Sequence, residues 1–392
     1  MKVSLDAESV SSIRKICSVA PKNVTLPGID GVLIESDDSG SITASVYDMH
    51  SAIKYSLALG GNVIEGGNVC IRAQRLRDIL SRCEGSADMS CKNDGAVTIK
   101  CGCGKFSTQQ IASNERTPMP DCIVEESKMI ASFTIAHKLM TNIVHSQAEA
   151  IEDARMSFPA YIGCMSVYCL NGHIHFVRLD GRVAFSIITM KDQKDCEAPL
   201  YKEVLVSEDK MHACISVRHI NSALNVLDGD LTFKVFDGGV TVQGYSGVVS
   251  MRQTSIQIPD VFSAIAKYEK NEPIAIGSVD MKIIKDVAES ACIAAGGDAS
   301  SEVSVKIESK NLTVSISGND GSYDGVVPLL ESSVKTDGSV IRYYPKVLLR
   351  GVSCLSGVCS MLCYGEASPL MFVQDGAVFM HKSIIMPLKK GA

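Results

Sequence analysis

A chain of 392 residues is too long for one ordinary hydrophobic core and implies two or three domains. Apolar residues make up 46% and charged residues 21%, which excludes a mainly disordered polypeptide. With 38 Lys+Arg against 44 Asp+Glu the net charge is −6, so no surface-wide coating of nucleic acid or anionic membrane is expected, and any basic site is local.

The predicted elements follow one order three times: amphipathic helix, alternating strands, second helix, more strands. In the first third, Ser9–Val19 spaces Val10, Ile13, Ile16 and Cys17 at helical period. Strands at Gly31–Ser36 and Ser41–Val46 flank the turn Asp37-Asp38-Ser39-Gly40. A helix over Arg72–Cys83 turns Leu76, Ile79, Leu80 and Cys83 inward, and strands follow at Val97–Lys100 and Lys105–Ser107. The middle third opens with a helix over Ile135–Gln147, for which Thr134 is a candidate cap. Strands Cys164–Cys169 and His173–Val177 turn at Asn171-Gly172, the second helix spans Ser216–Leu227, and Leu231–Phe236 and Val240–Gln243 flank Asp237-Gly238-Gly239. The last third reads as helix Val279–Ala295, strands Ser301–Glu308 and Leu312–Ser317, and helix Tyr343–Leu355 with Pro345 in its first turn. Strands Pro369–Val373, Ala377–His381 and Ser383–Leu388 complete it. The connectors Asn114–Ser127 and Ile256–Pro273 carry Pro118-Met119-Pro120-Asp121 and Ile258-Pro259-Asp260 at matching places, which divides the chain into 1–124, 125–260 and 261–392. Six helices and three sets of short antiparallel strands make an α+β protein of three similar units, not a doubly wound α/β fold.

Charge separates by element. The six helical windows hold twelve basic residues: Arg14, Lys15, Arg72, Arg75, Arg77, Arg82, Lys138, Arg218, Lys282, Lys285, Lys346 and Arg350. They hold four acids, Asp78, Asp280, Asp286 and Glu289, a surplus of eight positive charges, while the rest of the chain carries 26 basic and 40 acidic residues. On the second helix Arg72, Arg75 and Arg82 fall within an arc of about 80° beside the apolar face. A solvated flank explains any one such helix. Recurrence on five of six points to a surface that meets phosphate backbone without reading sequence.

Chemistry-bearing motifs are weak. The 15 cysteines are odd in number and irregularly spaced, which reads as mostly buried thiols in a reducing cytoplasm. Cys101-Gly102-Cys103-Gly104 lacks a second Cys/His pair at zinc spacing and reads as core or strand thiols; Cys354, Cys359 and Cys363 read the same way. His173 and His175 alternate on a strand and read as surface or interface residues. Gly60-Gly61 and Gly66-Gly67 lack the Gly-Lys-Ser/Thr of a phosphate loop. The acidic start Asp6–Glu8 and the lack of an apolar run of about 18 residues argue against a signal peptide and a membrane span. No enzyme activity, cofactor or metal is expected.

Taken together, several segments resemble the bacterial DNA polymerase III beta subunits, the sliding clamps, in order and spacing over nearly the whole chain. They are Thr25–Glu35; Lys105-Phe106-Ser107, similar to a dimer-edge strand; Arg178-Leu179-Asp180-Gly181-Arg182-Val183-Ala184, similar to the family's Thr-Asp-Gly-His-Arg-Leu-Ala but lacking its His; Ile258-Pro259-Asp260; and Ile384-Ile385-Met386-Pro387-Leu388, with Lys389 where Arg is usual. The resemblance implies a cytoplasmic head-to-tail homodimeric ring with helices lining a channel around double-stranded DNA and strands forming the outer wall. It implies DNA-facing Arg14, Lys15, Arg72, Arg75, Arg82, Lys138, Arg218, Lys282, Lys285, Lys346 and Arg350, and a dimer interface with Phe106, Thr108 and Ile293. It also implies a hydrophobic groove for peptides of the polymerase III catalytic subunit and the clamp loader, walled by Tyr161, Leu179, Gly181, Arg182, Val183, Pro259, Pro369, Ile384, Ile385, Met386, Pro387 and Leu388. The departures suggest a diverged clamp, of phage or mobile-element type. A thiol or metal enzyme built on Cys101 and Cys103, and a clamp-like scaffold that no longer loads on DNA, are the alternatives.

Overall fold

The computed structural model describes residues 1–22, 28–49, 51–102, 104–116, 118–120, 129–148, 163–170, 173–179, 184–191, 201–206, 210–253, 259–296, 301–318 and 321–388. Two compact units result, one of Met1–Thr141, Leu200–Glu208 and Arg218–Thr254, the other of Asn142–Pro199, Asp209–Val217 and Ser255–Ala392.

In the first unit, α1 (Ala7–Val19) starts where Asp6 Oδ1 accepts a hydrogen bond from the Ser9 amide at 2.7 Å, and it buries Val10, Ile13, Ile16 and Cys17 as the spacing predicts. It packs with α2 (Ala73–Leu80), which buries Ala73, Leu76, Ile79 and Leu80. A five-stranded antiparallel sheet runs in the order Gly61–Glu65, Lys2–Leu5, Ala87–Cys91, Ala96–Cys101, Gly104–Gln109. A nine-stranded sheet joins Gly31–Ser36, Ile42–Asp48, Ile53–Leu59 and Gly67–Arg72 to strands of the middle third. The seam pairs Gly247–Arg252 with Ile53–Leu59, Gly247 opposite Leu57 and Met251 opposite Ile53. Further along lie α3 (His137–Ala148) and α4 (Val217–Val226), where His137 Nε2 is 2.9 Å from the Leu224 carbonyl.

The second unit repeats the plan. Its nine-stranded sheet joins middle-third strands to Ala275–Asp280, Val358–Cys363, Leu370–Asp375 and Phe379–Ile385, through a seam that sets Ala184 opposite Ile385 and Ser186 opposite Ser383. One face is covered by α5 (Val261–Glu269), and α6 (Met281–Ala294) and α7 (Pro345–Ser353) pack on each other. A four-stranded sheet, Gly321–Pro328, Asn311–Gly318, Val303–Ile307, Ser339–Tyr343, closes the core with α6. At Gly351 the close approach of α7 to the sheet requires glycine, since a Cβ there would stand 2.4 Å from Ile385 Cδ1.

Four expectations need correction. Thr134 does not cap α3; it lies in Met129–Ile135, with its hydroxyl 2.9 Å from that of Thr232 across the sheet. The connector 256–273 holds α5, announced by Asp260 and by apolar Val261 and Ile265 one turn apart. Ala377–His381 and Ser383–Leu388 are a single strand, Phe379–Ile385. Cys101 is not a strand thiol but is bonded to Cys83, although the ten other cysteines among the described residues are in no disulfide, seven of them buried. The turn Asn171-Gly172 and the start of the middle unit at 125 lie outside the described residues.

Candidate functional site

The basic residues sit on or beside helices, as their spacing predicts. Arg75 and Arg77 are exposed on α2, while Arg72 is its N-cap and Arg82 lies in the turn after it, both exposed. Arg77 approaches α1 closely enough to oppose the burial that pushes the Cys17 thiol up to about 12. Arg14 and Lys15 on α1 are half-buried, and the Lys15 ammonium is held 2.8 Å from the Asp228 carboxylate, so it offers less charge to a ligand than the count implies. Lys138 on α3 and Arg218 on α4 are exposed, and Arg218 lies near Asp48 and Tyr55.

In the second unit, Lys346 and Arg350 of α7 approach Cys292 of α6, and Lys282 and Lys285 belong to the same α6. These helices thus bring basic side chains together beside Glu289, with Asp286 also exposed on α6. Ion pairs fall on the strands instead: Lys306 with Glu308, Arg342 with Glu302, and Lys382 with Glu269 of α5. These three strand cations are paired locally, while the helices carry a surplus of basic over acidic residues.

The opposite face of the second unit's large sheet carries an apolar cluster. Val177, Leu179, Ile187, Met371 and Ile384 are buried under Val261 and Ile265 of α5. Burying those two side chains contributes about 1.5–3 kcal/mol each. Asp260 fixes the helix start, accepting from the Ser263 amide at 3.0 Å and its hydroxyl at 2.6 Å. Phe262 meets the rings of Tyr168 and His175 edge-on at 5.2 and 5.1 Å. Around this core Leu362, Tyr364, Val373 and Met386 are only partly buried, an apolar border left beside the helix.

Of the expected groove residues, Leu179 and Ile384 join the cluster and Met386 packs against it. Pro259 is exposed just before α5, Pro369 is buried at the start of Leu370–Asp375, and Pro387 and Leu388 are half-buried. The Leu388 amide donates to the Arg342 carbonyl at 2.8 Å. Ile385 is a correction: strand alternation turns it to the other face, under α7. Tyr161, Gly181, Arg182 and Val183 lie outside the described residues. The reading by position missed Val177, Met371, Phe262 and Leu362, for which the alternation of Met371 and Val373 and the Asp260 cap were available signals.

Gly104–Gln109 is an edge strand, bonded on one side to Ala96–Cys101, with Phe106 and Thr108 half-buried on one face. In the second unit Gly321–Pro328 is likewise an edge, with Val326 56% exposed, and Ile293 near the end of α6 is 80% exposed.

The chain is thus a layered α+β protein with basic residues on its helices, antiparallel sheets and open edges at both small sheets. Neither a protein-family model nor a curated protein matches the sequence. Solved structures do match over the full length. The chain is similar to the beta subunit from DNA polymerase of Streptococcus pyogenes, with TM-score 0.80 and 11% identity over 100% of both chains. It is similar to the DNA polymerase sliding clamp of Bacillus subtilis, with TM-score 0.79 and 14% identity over 100% of this chain and 99% of that one. The DNA polymerase III beta subunit of Thermotoga maritima gives 0.76 at 16% identity, covering 99% of each. The chain has the sliding-clamp fold from end to end.

Proposed function

We propose that the protein is a processivity clamp: two copies join head to tail around duplex DNA and tether a DNA polymerase, without catalysing a reaction. The observation that carries this reading is the full-length clamp fold, whose helices carry more basic than acidic residues. Helix guanidinium and ammonium groups hold phosphates by salt-sensitive, sequence-independent contacts, so the ring can move along the duplex. Arg75, Arg82, Lys138, Arg218, Lys282, Lys285, Lys346 and Arg350 supply most of this charge, with Arg14, Arg72 and Lys15 beside them. The three-part division at 1–124, 125–260 and 261–392 goes with it, the middle part lending strands to both large sheets.

The border of Leu362, Tyr364, Val373 and Met386 beside Leu179 and Ile384 suits short apolar peptides of a polymerase III catalytic subunit and a clamp loader, the adaptable Met side chain accommodating several motifs. Phe106 and Thr108 of one copy would meet Ile293 of the next. No helix among the described residues is long and apolar enough to cross a membrane, and we place the protein in the cytoplasm. The test is retention on DNA. Loaded on a nicked circle, the protein should stay bound in high salt and leave once the circle is cut; equal loss from intact and cut circles would overturn the reading.

A further inference from the structure

The DNA and peptide readings use none of the cysteines, yet one pair is covalently joined. Cys83 follows the end of α2 and is bonded to Cys101, the last residue of Ala96–Cys101, across 18 positions of sequence. Both residues are nearly inaccessible, at 3% and 6% exposure. Cys101 pairs with Gly104, the first residue of the edge strand Gly104–Gln109. The turn between them runs through Gly102 at φ +54°, with open space around it. The bond therefore links the end of the arginine-bearing helix to the root of the hairpin that presents Phe106 and Thr108.

We propose that the Cys83–Cys101 bond is a thiol–disulfide switch on the dimer edge, a role that rests on the ring reading above. Oxidised, it fixes the hairpin against α2 and holds the edge strand ready for the second copy; reduced, it frees the hairpin and weakens ring closure. The co-reactant is a dithiol. Its thiolate attacks one sulfur, the S–S bond breaks, and the other sulfur leaves as a thiolate that takes a proton from water. The second thiol of the reductant, deprotonated, then displaces the remaining cysteine, which is protonated in turn; two electrons pass to the pair and the reductant ends as a disulfide. Because both sulfurs are buried, exchange follows opening of the hairpin end, which makes reduction slow and selective.

The experiment uses the full chain after treatment with oxidised glutathione or with dithiothreitol. Peptide mapping should show the Cys83–Cys101 linkage only after oxidation. Reduction should speed amide exchange in Gly104–Gln109 and weaken dimerisation, each by about tenfold. The double variant Cys83→Ala/Cys101→Ala should behave as reduced protein in both buffers; chemical reduction of the natural chain decides the matter should that variant not fold. Equal exchange in both states, or no linked peptide after oxidation, would overturn the switch. A monomer in both states would overturn the ring reading, and the exchange rates would still decide whether the bond governs the hairpin.

Discussion

At Gly351, Tyr343 and His381 single atoms decide stability. Alanine normally improves a helix interior by about 1 kcal/mol over glycine, but in α7 the added methyl would meet Ile385, which is 0% exposed and has nowhere to move. Overpacking of that kind costs about 1–3 kcal/mol, so Gly351→Ala should destabilise in urea titrations, and Ile385→Val should recover part of the loss. Tyr343 is 0% exposed and its hydroxyl meets no partner among the described residues. Removing an unsatisfied buried hydroxyl should raise stability by about 1 kcal/mol, read as a higher urea midpoint for Tyr343→Phe. His381 is 1% exposed, its Nε2 2.6 Å from the Ser186 hydroxyl, and burial pushes it down to about 4. The folded protein thus keeps this ring neutral while the unfolded chain binds a proton from pH 6.5 downward. Stability should be full above pH 6.5 and fall as pH drops toward 4, by up to about 3 kcal/mol from this residue. Substituting His381→Asn should flatten the profile; an unchanged slope would assign the loss to His175 instead, which burial also pushes to about 4.

Elements explain what could be read in advance and what could not. Helix α5 is short and begins with one capping carboxylate, so Asp260→Ala should cost about 1 kcal/mol and speed exchange over Val261–Glu269. On the groove reading it should also weaken binding of a polymerase C-terminal peptide. The six helices seen in the sequence all have an apolar stripe of at least three residues, and each is found within a few positions of its expected bounds. Helix α5 hid because only Val261 and Ile265 of its residues are fully buried and a Pro precedes its cap. Edge identity came only through the resemblance of Lys105-Phe106-Ser107 to a dimer-edge strand, because whether Gly104–Gln109 or Ala96–Cys101 ends the sheet depends on long-range pairing that alternation does not encode. The face of Ile385 follows from counting along Phe379–Ile385, which requires knowing that the strand is continuous through Ser383. The two seams differ in the same way. At Ile53–Leu59 the face bearing Lys54 and Ser56 meets Ser250 and Val248, while the second unit's seam buries Ile187 and Ile384 under α5. On the groove reading, the latter is the apolar bed for a peptide.

At the scale of the molecule, the ring reading makes a geometric demand. A head-to-tail contact uses two different patches, so a closed dimer contains two copies of one interface, each joining the Phe106 edge of one chain to the Ile293 end of the other. Phe106→Asp places a charge in every such interface, and Ile293→Asp does the same from the other side. Burying an unpaired carboxylate costs several kcal/mol, so either variant alone should sediment as a monomer. Mixing the two has a distinct outcome. In the mixed dimer one interface brings both aspartates together and fails, while the other joins natural Ile293 to natural Phe106. The mixture should therefore form an open dimer, detectable by sedimentation, that does not persist on intact circular DNA. A side-by-side interface holding both residues in one self-paired patch would carry an aspartate in every pairing and leave the mixture monomeric, and one holding a single residue would leave the other variant dimeric on its own. Recovery of dimer without recovery of retention thus separates a broken ring from a side-by-side pair, and it does so with both variants serving as their own folding controls.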